Sequence, residues 1–167
     1  MDFFERKILH TPLGRLLMVV VVVAFAAFFI SQCSFSHEGE EKQLKEDVDS
    51  FATYYYNWKF PDAARYCTPE SRIWLRFAST NVHQADVDIL KQQKEGASHT
   101  ITDVDYLPND TAATVTIEVR NYLRMDTIGK EGRIIPEATF KLPVVYRNKR
   151  WLVRMEDLPR SEKKNRD

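Results

Sequence analysis

Cysteine is scarce in this sequence, and the positions of its two cysteines exclude a disulfide framework. Cys33 lies at the edge of an apolar run, which leaves Cys67 as the single thiol of the remaining chain. We expect Cys67 to be a small buried apolar side chain. The sequence has no CxxC pair and no cluster of His and Cys at metal-binding spacing. It therefore predicts neither a metal site nor a cofactor.

An excess of either charge is also lacking. The 24 Lys and Arg residues balance the 24 Asp and Glu residues, so the formal net charge is +0. Proteins that bind nucleic acid usually present a basic field, so nucleic acid is not a predicted partner. No internal repeat is present, and a remainder of about 130 residues after the apolar run is an ordinary size for one domain.

One long apolar segment is present near the start of the chain. Residues Leu16–Ile30 contain no charge, while Arg6, Lys7 and Arg15 precede them and acidic residues follow. Lys and Arg favour the cytoplasmic side of a membrane span. The sequence thus predicts a cytoplasmic tail (1–15), a transmembrane anchor or signal segment (16–35), a linker (36–42) and a domain outside the cytoplasm. We expect this localisation to be a bacterial cell envelope, with the domain in the periplasm.

Three interpretations of this segment are open. Extended to Phe35, it reaches the roughly 20 residues that a spanning helix needs, which favours an uncleaved anchor. Ile30-Ser31-Gln32-Cys33 also resembles a bacterial lipobox, which makes Cys33 a lipidation candidate, although Gln32 does not fit that pattern. A cleaved signal peptide is the third interpretation.

Helical periodicity dominates the first half of the domain. Steps of four and three residues place five side chains on one stripe of a first helix: Leu44, Val48, Phe51, Tyr55 and Trp58. Thr68-Pro69-Glu70-Ser71 predicts the start of a second helix, which carries Ile73, Trp74 and Phe77. A third helix is expected from Val82 to Lys94, with its inner face formed by Val82, Ala85, Ile89 and Leu90.

After Gly96 the period changes to two, which predicts strands. A first strand covers His99–Tyr106, and Ala113, Val115, Ile117 and Val119 alternate with polar residues along a second. Two further strands follow, with inner faces led by Phe140 and Trp151, and the polar residues 158–167 are expected to form a disordered tail. The predicted fold class is α+β, with a membrane helix followed by three helices packed on a curved four-stranded antiparallel sheet.

Two motifs in this order carry a resemblance. Asp62-Ala63-Ala64 followed by Thr68-Pro69-Glu70-Ser71, and then the long strand that begins Asp110-Thr111-Ala112, resemble the nuclear transport factor 2-like (cystatin-like) superfamily. The similarity is to small bacterial envelope proteins of lumazine-binding-like type, and the matching domain is residues 43–157. The resemblance implies a cone-shaped fold with a cleft between helices and sheet, and dimerisation through the sheet. It implies no particular reaction, because this fold hosts many functions.

Catalytic candidates are weak. Asp103 and Asp105 lie on a strand of uncertain inner face and are expected to be solvated, and His83 and His99 lack a nearby partner in sequence. Large aromatic side chains suit the lining of a ligand cleft, and their spacing selects five candidates: Tyr55, Trp58, Trp74, Phe140 and Trp151.

The predicted function is that of a non-enzymatic, membrane-tethered periplasmic domain that binds a small apolar ligand or a protein partner. One alternative is an assembly or scaffold subunit of an envelope complex, because the type IV secretion assembly factor has the same plan of a cytoplasmic tail, one anchor and this fold outside. The other alternative is an enzyme of the isomerase or dehydratase kind, which the absence of a carboxylate on the inferred inner strand faces disfavours.

Overall fold

The computed structural model describes residues 20–22, 39–108, 110–125 and 132–162 of the chain. Most of the proposed anchor at 16–35, including Cys33, lies outside these residues, as do the cytoplasmic tail and residues 36–38 of the linker. Residues 39–42 of the expected linker are helical instead. Residues 20–22 are helical and exposed. Among the described residues, no helix has both the length and the apolar content needed to cross a bilayer. The described residues from Gln43 onward belong to one compact unit.

The first helix, α1, covers residues 39–56 and buries the stripe that its periodicity predicts. Leu44, Val48 and Phe51 are at most 1% exposed, but Tyr56 rather than Tyr55 is the buried tyrosine at its end. The helix stops where Trp58 adopts a left-handed backbone conformation, with φ of 59°. The chain then turns back as the Lys59 N–H donates to the Tyr54 carbonyl at 2.8 Å.

The Thr68-Pro69-Glu70-Ser71 motif joins the helices to the sheet. Pro69–Ser71 forms a 3-10 turn with Thr68 at its N-cap position, and α3 follows it directly, after the short helix α2 (Phe60–Ala63). The expected cap bond to the backbone is absent. Instead, the Thr68 and Ser71 hydroxyls lie 2.8 Å apart, and Ser71 Oγ accepts the Met155 N–H at 2.7 Å.

The next two helices differ from their sequence expectation in which faces they bury. Helix α3 (Arg72–Thr80) buries Leu75 and Ala78, while Ile73 and Phe77 are exposed. Helix α4 (Gln84–Gln92) is shorter than expected. Its four predicted inner residues are only half-buried, and its buried residue is Asp86, which is 2% exposed.

Four antiparallel strands follow in the order β1-β2-β3-β4. They are β1 (Ser98–Tyr106), β2 (Ala112–Arg124), β3 (Arg133–Arg147) and β4 (Arg150–Val153). The predicted alternation of β2 is confirmed, because its buried residues pair with the inner residues of β3, as in Val115 with Leu142 and Ile117 with Phe140. The poor alternation of β1 has a cause, since the register shifts between Ile101 and Asp103. The α+β class and the four-stranded antiparallel sheet are therefore as expected.

The end of the described chain differs from the expected solvated tail. Residues 157–162, which we call the C-terminal strap, run back along the outer edge of β3. Ser161 forms a bridge with Phe140, and the Glu162 N–H donates to the Thr139 carbonyl at 2.9 Å. Leu158, an apolar side chain in this mostly polar segment, packs against the core. Residues 163–167 lie outside the described residues.

Candidate ligand-binding pocket

A cavity of about 400 Å³ opens between the end of α1, the sheet and the C-terminal strap. This volume lies within the range of small-molecule sites. Most of its lining is aromatic or aliphatic, with polar groups confined to the phenols, the Trp58 indole, Arg124 and the strap. The lining residues are Tyr55, Tyr56, Trp58, Phe60, Tyr122, Leu123, Arg124, Met125, Phe140 and the strap residues Asp157 to Ser161.

Adjacent tyrosines at the end of α1 form the inner wall of the pocket. The Tyr55 and Tyr56 rings meet edge to face with centroids 5.0 Å apart. The Tyr56 ring contacts Phe140 on β3 at 5.0 Å and Tyr122 on β2 at 5.7 Å. Ring pairs at these separations add to the energy of burial itself. The wall is thus a connected aromatic cluster, held by one helix and two strands.

Trp58 forms a second wall because of the way in which α1 ends. Its left-handed backbone turns the chain, and its indole N–H donates to the Leu123 carbonyl on β2 at 3.2 Å. This bond fixes the indole between the helix end and the sheet. Its ring also lies 6.1 Å from that of Phe60, at the start of α2.

The phenols of this cluster stay protonated near neutral pH. Burial raises the pKa of Tyr55, and the neighbouring Asp157 carboxylate and Tyr122 raise it further. Burial, with smaller contributions from Tyr55 and Tyr122, raises the pKa of Tyr56 well above its ordinary value. Burial also raises the pKa of Tyr122, although Arg124 and Arg133 oppose the change. All three side chains are therefore hydrogen-bond donors rather than phenolates.

One of these donors is unsatisfied. The Tyr56 hydroxyl is buried and has no hydrogen-bond partner among the described residues, and the whole residue is 4% exposed. A buried polar group without a partner is unfavourable by about 1–3 kcal/mol. Such groups are rare in native proteins and usually have a reason, such as an unseen ligand or water.

The C-terminal strap forms the outer wall of the pocket, and its Asp157 is the one carboxylate among the described residues that line it. Asp157 accepts the Leu158 N–H at 2.8 Å and pairs with the Arg160 guanidinium. The side chain of Asp157 is about half exposed, so it is a partly solvated ion pair. At the far end of the strap, Glu162 pairs with Lys141 at 2.7 Å.

Three of the five aromatic residues selected from sequence meet at this pocket: Tyr55, Trp58 and Phe140. Trp151 does not, because β4 directs it into the core, where it is 2% exposed and packs on Tyr106 and Tyr146. Trp74 is half-buried on α3 and is likewise not part of the lining.

The weak catalytic candidates lie elsewhere. Asp103 and Asp105 are exposed on β1, as expected, and neither lines the pocket. His99 lies 3.0 Å from Asp49, and His83 lies 3.5 Å from Asp86. Over the described ranges, no group of three or more His, Cys, Asp or Glu is arranged to hold a metal.

Residue spacing does not select Tyr56, Tyr122 or the strap, although all three line the pocket. Tyr122 follows Asn121, whose left-handed backbone (φ 55°) interrupts the alternation of β2. Alternation therefore gave no correct inner face beyond Val119. The polar composition of the strap concealed its contacts, although Leu158 and Pro159 were an apolar signal within it.

Comparison with known proteins gave few matches. No family model and no curated protein matches the chain. Among solved structures, one similar chain is titled "Ntf2 like protein involved in plasmid conjugation", with a TM-score of 0.31 and 10% sequence identity. The match covers 74% of this chain and 51% of that one, so this chain spans about half the length of the matched structure.

Proposed function

We propose that this chain is a non-enzymatic, membrane-tethered domain of the cystatin-like kind, located in a bacterial envelope, and that it binds a small apolar ligand in the pocket at the end of α1. The observation that carries the ligand-binding part is the unpartnered Tyr56 hydroxyl beside an aromatic cavity of about 400 Å³. The order of helices before an antiparallel meander supports the cystatin-like assignment. The apolar run Leu16–Ile30 supports the tether.

The chemistry of the pocket narrows the class of ligand. Aromatic walls favour a flat apolar body, since rings stack or meet edge to face with it. Protonated phenols donate hydrogen bonds, so a carbonyl or similar acceptor on the ligand would complement them. The Asp157 and Arg160 pair at the rim satisfies its own charges, so the strap requires no charged group on the ligand.

A fluorescent ketone tests this proposal. A chain shortened to residues 39–167 lacks the apolar run, which would otherwise compete for apolar probes. Prodan is a neutral naphthyl ketone whose emission reports a dry environment. We expect saturable binding of one prodan, with a blue shift and protection of Trp58 from quenching by acrylamide.

Tyr56→Phe separates a ligand-binding role from a packing role. Removal of an unsatisfied hydroxyl should leave the stability unchanged or slightly raised. The affinity for prodan should fall about five- to tenfold, the equivalent of one neutral hydrogen bond of about 1–1.4 kcal/mol. N-Phenyl-1-naphthylamine has no carbonyl, so its binding should not change.

Tyr54→Phe is the matched control, because Tyr54 lies on the same helix and contacts Tyr66 rather than the pocket. The proposal fails if prodan binding does not saturate. It also fails if both Tyr→Phe variants bind prodan equally well.

A second candidate is the assembly subunit, and one observation favours it. Strand β1 lies at the edge of the sheet, and within the described ranges no strand pairs with its outer side. Such an edge can pair with another chain. Native mass spectrometry of the full chain should then show a dimer or a larger assembly, and a monomer at all concentrations would rule out self-assembly.

A further inference from the structure

Helix α3 presents an unusual outer surface. Ile73 and Phe77 are 57% and 50% exposed, although both are large apolar side chains. They lie one helical turn apart, and Arg72 and Arg76 form a parallel row beside them. We call these four residues the α3 face. It combines an apolar row with a basic row on a single helix.

A groove of about 530 Å³ extends this surface on the arginine side. Phe60 and Leu75 form its buried floor, and Pro61, Ala64 and Pro69 add further apolar walls. Arg72 and Arg76 line the same groove. An apolar surface therefore lies on both sides of the arginine row.

The two arginines have no acidic partner among the described residues. Helix α3 contains no acidic residue, and the nearest acidic residues in sequence are engaged elsewhere. Asp62 pairs with Arg65 at 3.3 Å, and Glu70 pairs with Arg147 at 3.4 Å. The α3 face is thus a basic patch that would suit an anionic partner.

Side-chain contacts connect the segment that precedes α3 with the N-terminal part of α1. The β3–β4 turn touches the start of α1, where the Gln43 side-chain amide donates to the Lys149 carbonyl at 2.9 Å. At the end of β3, the Arg147 guanidinium pairs with Glu70 in the 3-10 turn that leads into α3. Residues 31–38 separate the apolar run from the first residue of α1, and a segment of this length can span at most roughly 30 Å.

We propose that the α3 face docks on an anionic membrane surface. Phosphate accepts paired hydrogen bonds from the planar guanidinium groups of Arg72 and Arg76. Ile73 and Phe77 then enter the boundary between headgroups and acyl chains, as apolar residues of interfacial helices do. This inference rests on the membrane tether of the proposed function, and it does not depend on the ligand pocket. The tether supplies a high local concentration of the surface, so a few contacts suffice.

Hydrogen exchange on the full chain tests the docking. The protein is reconstituted into nanodiscs of phosphatidylcholine alone, and into nanodiscs in which about a third of the lipid is phosphatidylglycerol. We expect amide exchange in Arg72–Thr80 to slow roughly fivefold or more in the anionic discs only. Exchange in Gln84–Gln92 should be the same in both.

Charge variants identify the residues responsible. Each basic residue near an anionic surface contributes about 1 kcal/mol, so Arg72→Gln with Arg76→Gln should lower the equilibrium constant for docking roughly 30-fold and remove the protection. Ile73→Ser with Phe77→Ser should also abolish the protection. The matched control is Lys91→Gln with Lys94→Gln, which removes the same charge from exposed positions on or just after α4 and should have no effect.

Three results would overturn the proposal. Equal exchange of α3 in neutral and anionic discs would exclude lipid charge as the cause. An equal loss of protection in the lysine control would reduce the effect to net charge. A doubled mass by native mass spectrometry, with α3 protected in neutral discs as well, would assign the face to a second copy of the chain. Failure of the tether itself is separate, because alkaline carbonate would then release the full chain from membranes.

Discussion

Replacement of Asp86 should strongly destabilise the domain. Asp86 is 2% exposed, and its carboxylate accepts the Gly132 N–H at 2.7 Å and the His83 N–H at 3.0 Å. Hydrogen bonds to a charged group contribute about 1.5–3 kcal/mol each. Asp86→Ala removes two of them and leaves the buried Gly132 N–H unpaired, so we expect a loss of roughly 3–5 kcal/mol.

Asp88→Ala is the matched control on the same helix. Asp88 is exposed and accepts only the Gln84 side-chain amide at 2.8 Å, so its loss should change the stability by less than about 0.5 kcal/mol. Urea unfolding followed by circular dichroism gives the free energy of unfolding of both variants. In a thermal scan, the melting temperature of Asp86→Ala should fall by roughly 10–20 °C. Equal stabilities of the two variants would refute the role assigned to Asp86.

Three further predictions concern the tyrosine cluster, the buried thiol and the start of β3. The pKa values of Tyr55 and Tyr56 are raised, so the folded phenols hold their protons more tightly than the unfolded ones. Their contribution to the free energy of unfolding is therefore fully present below pH about 10 and is lost as the pH rises further. In urea titrations at alkaline pH, Tyr55→Phe should make the free energy of unfolding fall less steeply with pH. Cys67 is buried, and burial raises its pKa. In a Cys33→Ser background, a disulfide reagent should therefore label Cys67 slowly in the folded protein and rapidly in urea. Rapid labelling without urea would contradict its burial. Gly132→Ala places a Cβ 2.9 Å from the Arg124 carbonyl oxygen and 3.0 Å from the Asp86 carboxylate. Calorimetry should show a loss of about 1–3 kcal/mol in the free energy of unfolding. Unchanged stability would show that these neighbours move aside without cost.

The elements that sequence predicted well are those whose burial repeats along the chain. The stripe of α1 and the alternation of β2 each encode one buried face, and the structure buries Val48, Phe51, Val115 and Ile117 accordingly. The exposed row on α3 was harder to anticipate. A sequence shows that Ile73 and Phe77 share a face, but not whether anything covers that face.

Contacts between polar side chains and distant backbone were not predictable from periodicity. The Asn57 side-chain amide binds both the N–H and the carbonyl of Ala97, at 2.9 and 3.0 Å, and Ser71 binds Met155. Each of these depends on residues at least 40 positions apart coming together. The burial of Asp86 could not be predicted either, because acidic residues are rarely buried and no sequence pattern relates Asp86 to its partner Gly132.

The left-handed backbone of Trp58 places the stability of the domain in competition with the shape of its pocket. A non-glycine residue in this region is strained by about 1–2 kcal/mol, and glycine or asparagine would relieve that strain. Either replacement would also remove the indole that bonds to Leu123 and walls the cavity. Selection for thermal stability alone should retain Trp58 only if its packing and its hydrogen bond outweigh this strain, whereas selection for the occupied pocket should retain it in either case. A library randomised at codon 58 can be sorted once for folding and once for ligand retention. The residues enriched in each sort would show whether stability or ligand binding favours tryptophan at this position.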